Sequence, residues 1–359
     1  MKNRIVIRNI NVTANKIEID YTNEPTTVIF RRKMNNQSEE TKFESVGLNT
    51  GNMIFTDALE KEIDLDIVSV EECRGKTPEH IITTDLIWIN PQSDFKYLID
   101  QMNTFKDSIY VPISVGLQAK DTNSDFKLSD TTLRVLQMIQ ERAVIGCRGE
   151  YTASVLEKNG IHNIDVIGCP SVYVNLSKGY KFPTTLNNKN NVMCNFRTFY
   201  GQLSKREKHF LSYCATRNYD FVEQTKYDLT LENTGCDQHY FEYVNKWLTS
   251  KSRKFFDVDM WSNFAKSHEF CMGSRFHGNI VAIWNNVPAL FMPIDSRTQE
   301  LIDFFDFPYI RMEDFDPEKP IEYYFEKADY SEFTKTYSDK FNNFVNFLNK
   351  NGLTITESR

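Results

Sequence analysis

Residues 269–293 read Glu269-Phe-Cys-Met-Gly-Ser-Arg-Phe-His-Gly-Asn-Ile-Val-Ala-Ile-Trp-Asn-Asn-Val-Pro-Ala-Leu-Phe-Met-Pro293. Short apolar runs at 269–272 and 289–293 bracket a longer apolar segment from His277 to Trp284. The short runs have the length of buried strands and the middle has the length of a helix. Gly273-Ser274 punctuates the first junction and Asn285-Asn286 the second. A strand–helix–strand unit with apolar strands implies parallel pairing, because a parallel pair needs such a crossover.

The same alternation extends upstream. Val192 to Arg197 reads as a strand, Lys205 to Arg217 as a helix and Asp220-Phe-Val as a short strand. A helix over 238–250, a strand at Phe255-Phe-Asp and a helix from Trp261 to Lys266 complete the series. A first series precedes it. Gly47 to Asn52 reads as a turn, Met53 to Ile63 as a helix, and 66–70, 84–90 and 109–116 as strands. Ser129 or Asp130 caps a helix bearing Leu133, Leu136 and Ile139. A strand at 143–147 follows. The next helix, Glu150 to Lys158, stops at Asn159-Gly160 before a strand at 164–168. The fold class is therefore α/β with two Rossmann-like domains. The pattern assigns 1–40 to a small antiparallel N-terminal β-meander extension and 34–41 to a polar linker. It assigns 41–176 to the first domain, 177–190 to an interdomain linker and 191–320 to the second domain. In 321–359, Tyr337, Phe341, Phe344 and Phe347 recur at helical spacing and predict a tail that packs back on the domain seam.

Composition narrows the function. The chain of 359 residues has a net charge of −7, which argues against a nucleic-acid partner, since phosphate affinity comes from clustered Lys and Arg. The apolar stretch Ile5-Val6-Ile7 ends at Arg8, too short for a secretory signal, which points to the cytoplasm. No two of the seven cysteines lie closer than 20 positions, so the pattern reads as reduced thiols and offers no zinc knuckle. The basic run Lys251-Ser-Arg-Lys254 before Phe255-Phe256 fits either solvated surface or peripheral contact with the inner face of the plasma membrane. The 27 Phe and 17 Tyr fit an aromatic core, and a sugar-binding surface would show the same enrichment.

The chemistry concentrates at the Gly273-Ser274 turn. A strand end followed by a helix N-terminus offers free N–H groups and the positive end of the dipole to an anion. Arg275 adds a planar fork and His277 a proton shuttle, so both are catalytic candidates. Asp295 and Arg297 follow the next strand, where Arg297 serves either as a second anion ligand or as a surface partner of Glu300 or Asp303. Asn195 and Arg197 end the first strand of the second domain and face the same expected cleft. Asn49, Gly51 and Asn52 form a loop that either admits a ligand to the backbone or simply caps a helix. No P-loop, dinucleotide fingerprint, metal motif or nucleophile elbow occurs, so no metal and no cofactor are expected.

The stretch 273–301, with Gly-Ser-Arg-x-His, Asn-Val-Pro-Ala and Asp-x-Arg-x-x-Glu-Leu, resembles the polysaccharide pyruvyl transferase family. Asn49-x-Gly51-Asn52, Arg148, Ser154, Gly160, Val166-Ile-Gly168-x-Pro170 and the strand-end Arg197 occur in the family's order. Asn52 and Cys169 depart from it, standing where an Asp is common. The resemblance covers roughly 45–305 and implies a glycosyltransferase-B-like arrangement of the two domains. It implies transfer of pyruvyl from phosphoenolpyruvate to a sugar of a surface polysaccharide such as capsule, exopolysaccharide or wall polymer. The sugar acceptor would be free, lipid-linked or nucleotide-linked. Arg275, Arg197 and Arg297 would hold the donor's anionic groups, and His277 as imidazolium would protonate its enol carbon. Gly273, Ser274, Asn195, Asp295, Asn49, Gly51 and Asn52 complete the expected substrate site. A nucleotide-sugar-dependent glycosyltransferase and a non-catalytic glycan-binding relative are the alternatives.

Overall fold

The computed structural model describes residues 4–7, 38–63, 66–68, 78–197, 203–225 and 237–356. The first domain runs β1 (Arg4–Ile7), α1 (Glu39–Ser45), α2 (Gly51–Glu62), β2 (Asp66–Val68), β3 (His80–Thr83), α3 (Lys96–Thr104), β4 (Ile109–Pro112), α4 (Asp130–Gln140), β5 (Ile145–Cys147), α5 (Glu150–Lys158) and β6 (Ile164–Val166). Four strands pair in the order β2-β1-β3-β4, all parallel. β5 and β6 form a parallel pair, joined to the segment after β4 by a Val115–Cys147 bridge.

The second domain runs β7 (Val192–Asn195), α6 (Lys205–Thr216), β8 (Asp220–Glu223), α7 (Gln238–Lys251), β9 (Ser252–Lys254), α8 (Val258–Lys266), β10 (Phe270–Gly273), α9 (Phe276–Trp284), β11 (Ala289–Phe291), α10 (Ser296–Phe305) and α11 (Ile321–Lys327). α12 (Ser331–Lys350) follows. The sheet order is β11-β10-β7-β8-β9, entirely parallel. The chain leaves β7 toward β8 and later returns to its other side as β10. The crevice between the carboxyl ends of β7 and β10 is thus a topological switch point, where such sheets bind ligands. β7, β10 and β11 are buried along their whole length, as strands covered on both faces must be. Ser129, Ser204, Asp237, Asp257 and Asp295 each accept a backbone N–H at a helix start. Two Rossmann-type domains with a cleft between them make a glycosyltransferase-B-like architecture.

One apolar core crosses the seam. It joins Ile54 and Leu59 of α2 to Ile280 and Ile283 of α9, and Phe305 of α10 to Phe344 and Phe347 of α12. Phe344 stacks on Tyr173 with ring centroids 4.7 Å apart. Each such buried aromatic contributes on the order of 1.5–3 kcal/mol. Asn351 clamps Val144 at both its N–H and its carbonyl, and Asn343 donates to Val166 O, so α12 is stitched to the first domain.

Several sequence expectations need correction. Arg4–Ile7 is not part of an antiparallel extension; it pairs in parallel between β2 and β3 inside the first sheet. Residues 8–37 of that expected meander lie outside the described residues. Of the linker expected at 34–41, 34–37 lie outside the described residues and 39–41 begin α1, where Ser38 accepts the Thr41 N–H and Glu39 and Glu40 sit at the positive end of the helix. The strand expected at 84–90 is a 3-10 turn over Asp85–Trp88; the strand precedes it as β3. β9 falls at 252–254, ahead of Phe255-Phe-Asp. In the run 251–256, Lys254 pairs with Glu39, Lys251 with Asp220, and Phe256 packs edge-on against Phe43, while Arg253 is exposed. Among the described residues no helix is long and apolar enough to cross a membrane.

Candidate active site

Gly273 ends β10 at φ +157°, and a Cβ there would lie 1.8 Å from the Asn195 carbonyl oxygen. Only glycine fits where β10 turns this close to β7. Asn195 then locks the turn. Its backbone oxygen accepts the Ser274 N–H at 3.1 Å and its Oδ1 accepts the Arg275 N–H at 2.8 Å. Its Nδ2 donates to Asn279 Oδ1 at 2.7 Å, while Asn279 Nδ2 donates to Gly273 O at 3.0 Å. These paired amides are buried and satisfied, which fixes the backbone at the start of α9.

The turn opens into a cleft of about 780 Å³ between the domains. Arg275 and His277 line it from the second domain, and Arg148, at the end of β5, lines it from the first. Arg148 is buried and donates through Nε to Ser114 Oγ at 3.2 Å. The part-buried His277 has its Nε2 3.9 Å from Cys169 Sγ, and its Nδ1 sits so close to Gly51 that a Cβ there would approach to 2.9 Å. Burial, Arg148 and Arg275 together lower the His277 pKa to about 3. At that pKa the imidazole is neutral at pH 7 in the absence of a neighbouring anion. Two buried donors in the cleft lining, Ser274 Oγ and Gln224 Nε2, have no hydrogen-bond partner among the described residues. Buried polar atoms without partners are costly, so they mark a place where a ligand supplies acceptors.

Asp295, Arg297, Asn49 and Asn52 also line the cleft. Arg297 Nη2 reaches Asp295 Oδ2 at 2.6 Å, in place of a pair with Glu300 or Asp303. Asn52 donates Nδ2 to Val46 O at 2.9 Å, closing the end of α1. An ionised aspartate, which has no donor, could not make that bond. Gly51 serves close packing beneath His277, and Asn195 and Gly273 build the scaffold behind the turn without lining the cleft. Arg197 does not line it either: its Nε is 2.7 Å from Glu207 Oε1, inside the capping box of α6. Sequence reasoning left Arg148 and Gln224 out of the site, along with the first-domain wall around Trp88 and Tyr97. Arg148 carried a signal, its place in the family pattern; Gln224 carried none. Among the described residues no His/Cys/Asp/Glu group is spaced to hold a metal ion.

Glu300 braces the cleft from behind. It accepts the Thr152 N–H at 3.0 Å and the Thr152 hydroxyl at 2.8 Å, so a side chain of the second domain caps α5 of the first. Ser296 Oγ donates to Leu117 O at 2.6 Å beside it. Burial raises the Glu300 pKa to about 7 against the opposing pull of Thr152 and Arg148.

The fold and cleft define an α/β two-domain protein built around an anion-receptive switch point. A model of the family described as polysaccharide pyruvyl transferase matches residues 49–296, well over half of the 359. The chain belongs to that family, and so to the transferases. Among curated proteins no sequence match is found. Solved structures similar to it include S. aureus MnaA with UDP, 11% identical over 96% of this chain and 94% of that one, TM-score 0.45. The UDP-GlcNAc 2-epimerase from Neisseria meningitidis bound to UDP-GlcNAc is 11% identical over 98% and 100%, TM-score 0.41. HepE of Anabaena in complex with UDP and glucose is 11% identical over 80% and 84%, TM-score 0.38.

Proposed function

We propose that this transferase moves a pyruvyl group from phosphoenolpyruvate to a sugar of a surface polysaccharide, closing a ketal across two hydroxyls and releasing phosphate. The observation that carries the reading is the convergence of Arg148, Arg275 and His277 on unsatisfied donors at Ser274 and Gln224, beside the N-terminus of α9. A carboxylate and a phosphate on one small molecule want at least two cations and several N–H or O–H donors. Burial, with repulsion from Arg148 and Arg275, keeps His277 neutral; the donor's negative charge would oppose both, so the imidazole would take up a proton as the donor binds.

In this scheme His277 gives that proton to C3 of the enol, making a methyl group and leaving C2 electrophilic. One sugar hydroxyl adds to C2 and loses its proton. The C2–O bond to phosphate then breaks, the second hydroxyl adds, and its proton also leaves. One of the two released protons returns to His277 and the other leaves with the phosphate. Arg148 and Arg275 stabilise the charge that moves onto the phosphate.

The test is a thermal-shift panel with phosphoenolpyruvate, pyruvate and UDP on the wild type and on Arg275→Ala. Phosphoenolpyruvate at 100 times its Kd should stabilise by about 2.7 kcal/mol, and Arg275→Ala should abolish the shift. A shift with UDP and none with phosphoenolpyruvate would replace this reading with nucleotide-sugar chemistry.

A further inference from the structure

His277 is held from both sides. Its Nε2 lies 3.9 Å from Cys169 Sγ, while its Nδ1 and Asn49 Oδ1 crowd the spot where a Cβ on Gly51 would fall. Cys169 is fully buried and sits behind the ring, outside the cleft lining. Its sulfur is 3.1 Å from Ser171 Oγ, in the 3-10 turn Pro170–Val172. Trp284 Nε1 donates to Ser171 O at 2.6 Å. Trp284 follows His277 by seven residues, two turns of α9, so both lie on one face of the helix. The bond from Trp284 thus keeps the turn in register with His277 and the sulfur against its ring.

The charge around the ring is one-sided. Arg148, from the end of β5, and Arg275, from the ring's own turn, are the charges that act on it. The start of α2 and the end of β8 present uncharged groups, Gly51 with Asn49 and Gln224. Asp295 and Arg297, at the start of α10, line the same cleft and are paired with each other. Cys169 feels Arg148 and the Glu62 carboxyl of α2, but burial outweighs both and raises its thiol above the ordinary range. The sulfur is therefore an uncharged partner, at a position where an Asp is common in the family. Ser274 Oγ and Gln224 Nε2, buried and without partners among the described residues, stand ready in the same cleft for the oxygens of an anion.

We propose that Cys169 is a positioning residue that makes the charge on His277 conditional: an uncharged thiol holds the ring in place, and the imidazole carries a proton only while an anion occupies the cleft. A buried imidazolium beside two guanidinium groups needs a negative partner. An aspartate at 169 would supply one permanently, from within the protein. The thiol leaves that role to the ligand, so the proton arrives together with the group that consumes it. A more negative ligand gains more from that proton, which favours phosphoenolpyruvate over pyruvate. The identity of the anion rests on the pyruvyl-transfer reading; the state of His277 without ligand is independent of it.

The test begins with an NMR titration of the ligand-free full chain through the His277 Cε1–H resonance, assigned against His277→Gln. Wild type, Cys169→Ser and Cys169→Ala should show a neutral ring at pH 7, and Cys169→Asp an imidazolium. Calorimetry with phosphoenolpyruvate in buffers of different ionisation enthalpy follows. Wild type and Cys169→Ser should take up about one proton more per ligand than Cys169→Asp, a difference from which the ligand's own titration cancels. Cys169→Ala, which removes the brace and adds no charge, should keep the uptake and weaken donor binding about tenfold, with Cys169→Ser restoring most of it. That pair carries the test if Cys169→Asp does not fold. A charged ring in ligand-free wild type, uptake in Cys169→Asp equal to wild type, or donor affinity indifferent to Cys169→Ala would each overturn the proposal. A phosphoenolpyruvate thermal shift on the wild type separates the two claims. A neutral ring without that shift removes the donor reading and keeps the uncharged brace; the shift with a charged ligand-free ring does the reverse.

Discussion

The two walls of the cleft are built on opposite principles. The second-domain wall is a strand end, a glycine and a helix start, held by Asn195 and Asn279 in a closed set of hydrogen bonds. The first-domain wall is assembled from α2, the Asp85–Trp88 3-10 turn and the start of α3, with Trp88 and Tyr97 exposed. A rigid wall suits a small ligand whose charges must meet fixed partners. An open aromatic wall suits a larger ligand met face-on. The contrast teaches that in this molecule precision is placed where chemistry would occur and tolerance where a larger partner would rest.

The largest effect comes from breaking the rigid wall. Gly273→Ala should cost more than about 4 kcal/mol in urea unfolding, since the new Cβ meets the backbone of β7 and no flexible side chain can yield. Trp88→Ala, at an exposed site, should stay within about 0.5 kcal/mol of wild type in the same experiment. Comparable losses would erase the contrast.

A middle-sized effect sharpens it. His277, whose pKa burial and the two arginines lower to about 3, should bind close to one proton when phosphoenolpyruvate enters at pH 7. Donor affinity should then rise as pH falls. Calorimetry in buffers of different ionisation enthalpy reads the uptake, and His277→Gln should remove it. Uptake that survives in the variant belongs to another group.

The smallest effect concerns the brace that holds the walls apart. The folded pKa of Glu300, about 7, lies above the ordinary 4.5. The unfolded chain therefore binds fewer protons between those values, and this group's contribution to stability falls as pH rises from 4.5 to 7. Glu300→Gln removes the titration. The stability of the variant relative to wild type should climb across that window, by at most about 1.4 kcal/mol per pH unit, and level off above it. A flat difference would mean that the carboxylate does not titrate in the brace.

The rigid wall was legible in sequence because its parts are contiguous. Strand, glycine, arginine, histidine and helix follow one another between 270 and 284, and local periodicity finds them. The open wall was not. Leu86-Ile-Trp-Ile89 looks like a strand, but Leu86 and Ile89 are the buried pair, three residues apart, as a 3-10 turn requires. Trp88 is thereby turned outward. β1 was misplaced because a short alternating run reads alike in a hairpin and in a parallel sheet, and only long-range pairing distinguishes them. Gln224 reaches the site because β8 ends beside β7, a fact of topology that no local pattern carries. Arg197 illustrates the converse: a strand-end arginine aimed by sequence at the cleft was captured by Glu207 ten residues on.

α12 lies after the whole second domain in chain order, yet Phe344, Phe347 and Asn351 complete the core and edges of the first. During synthesis the first domain therefore emerges from the ribosome with a groove that its own residues cannot fill. It must wait, with Tyr173 and Ile167 uncovered, while the second domain is made. The two domains are separate in architecture but not in time: the earlier one is finished only by what is translated after the later one.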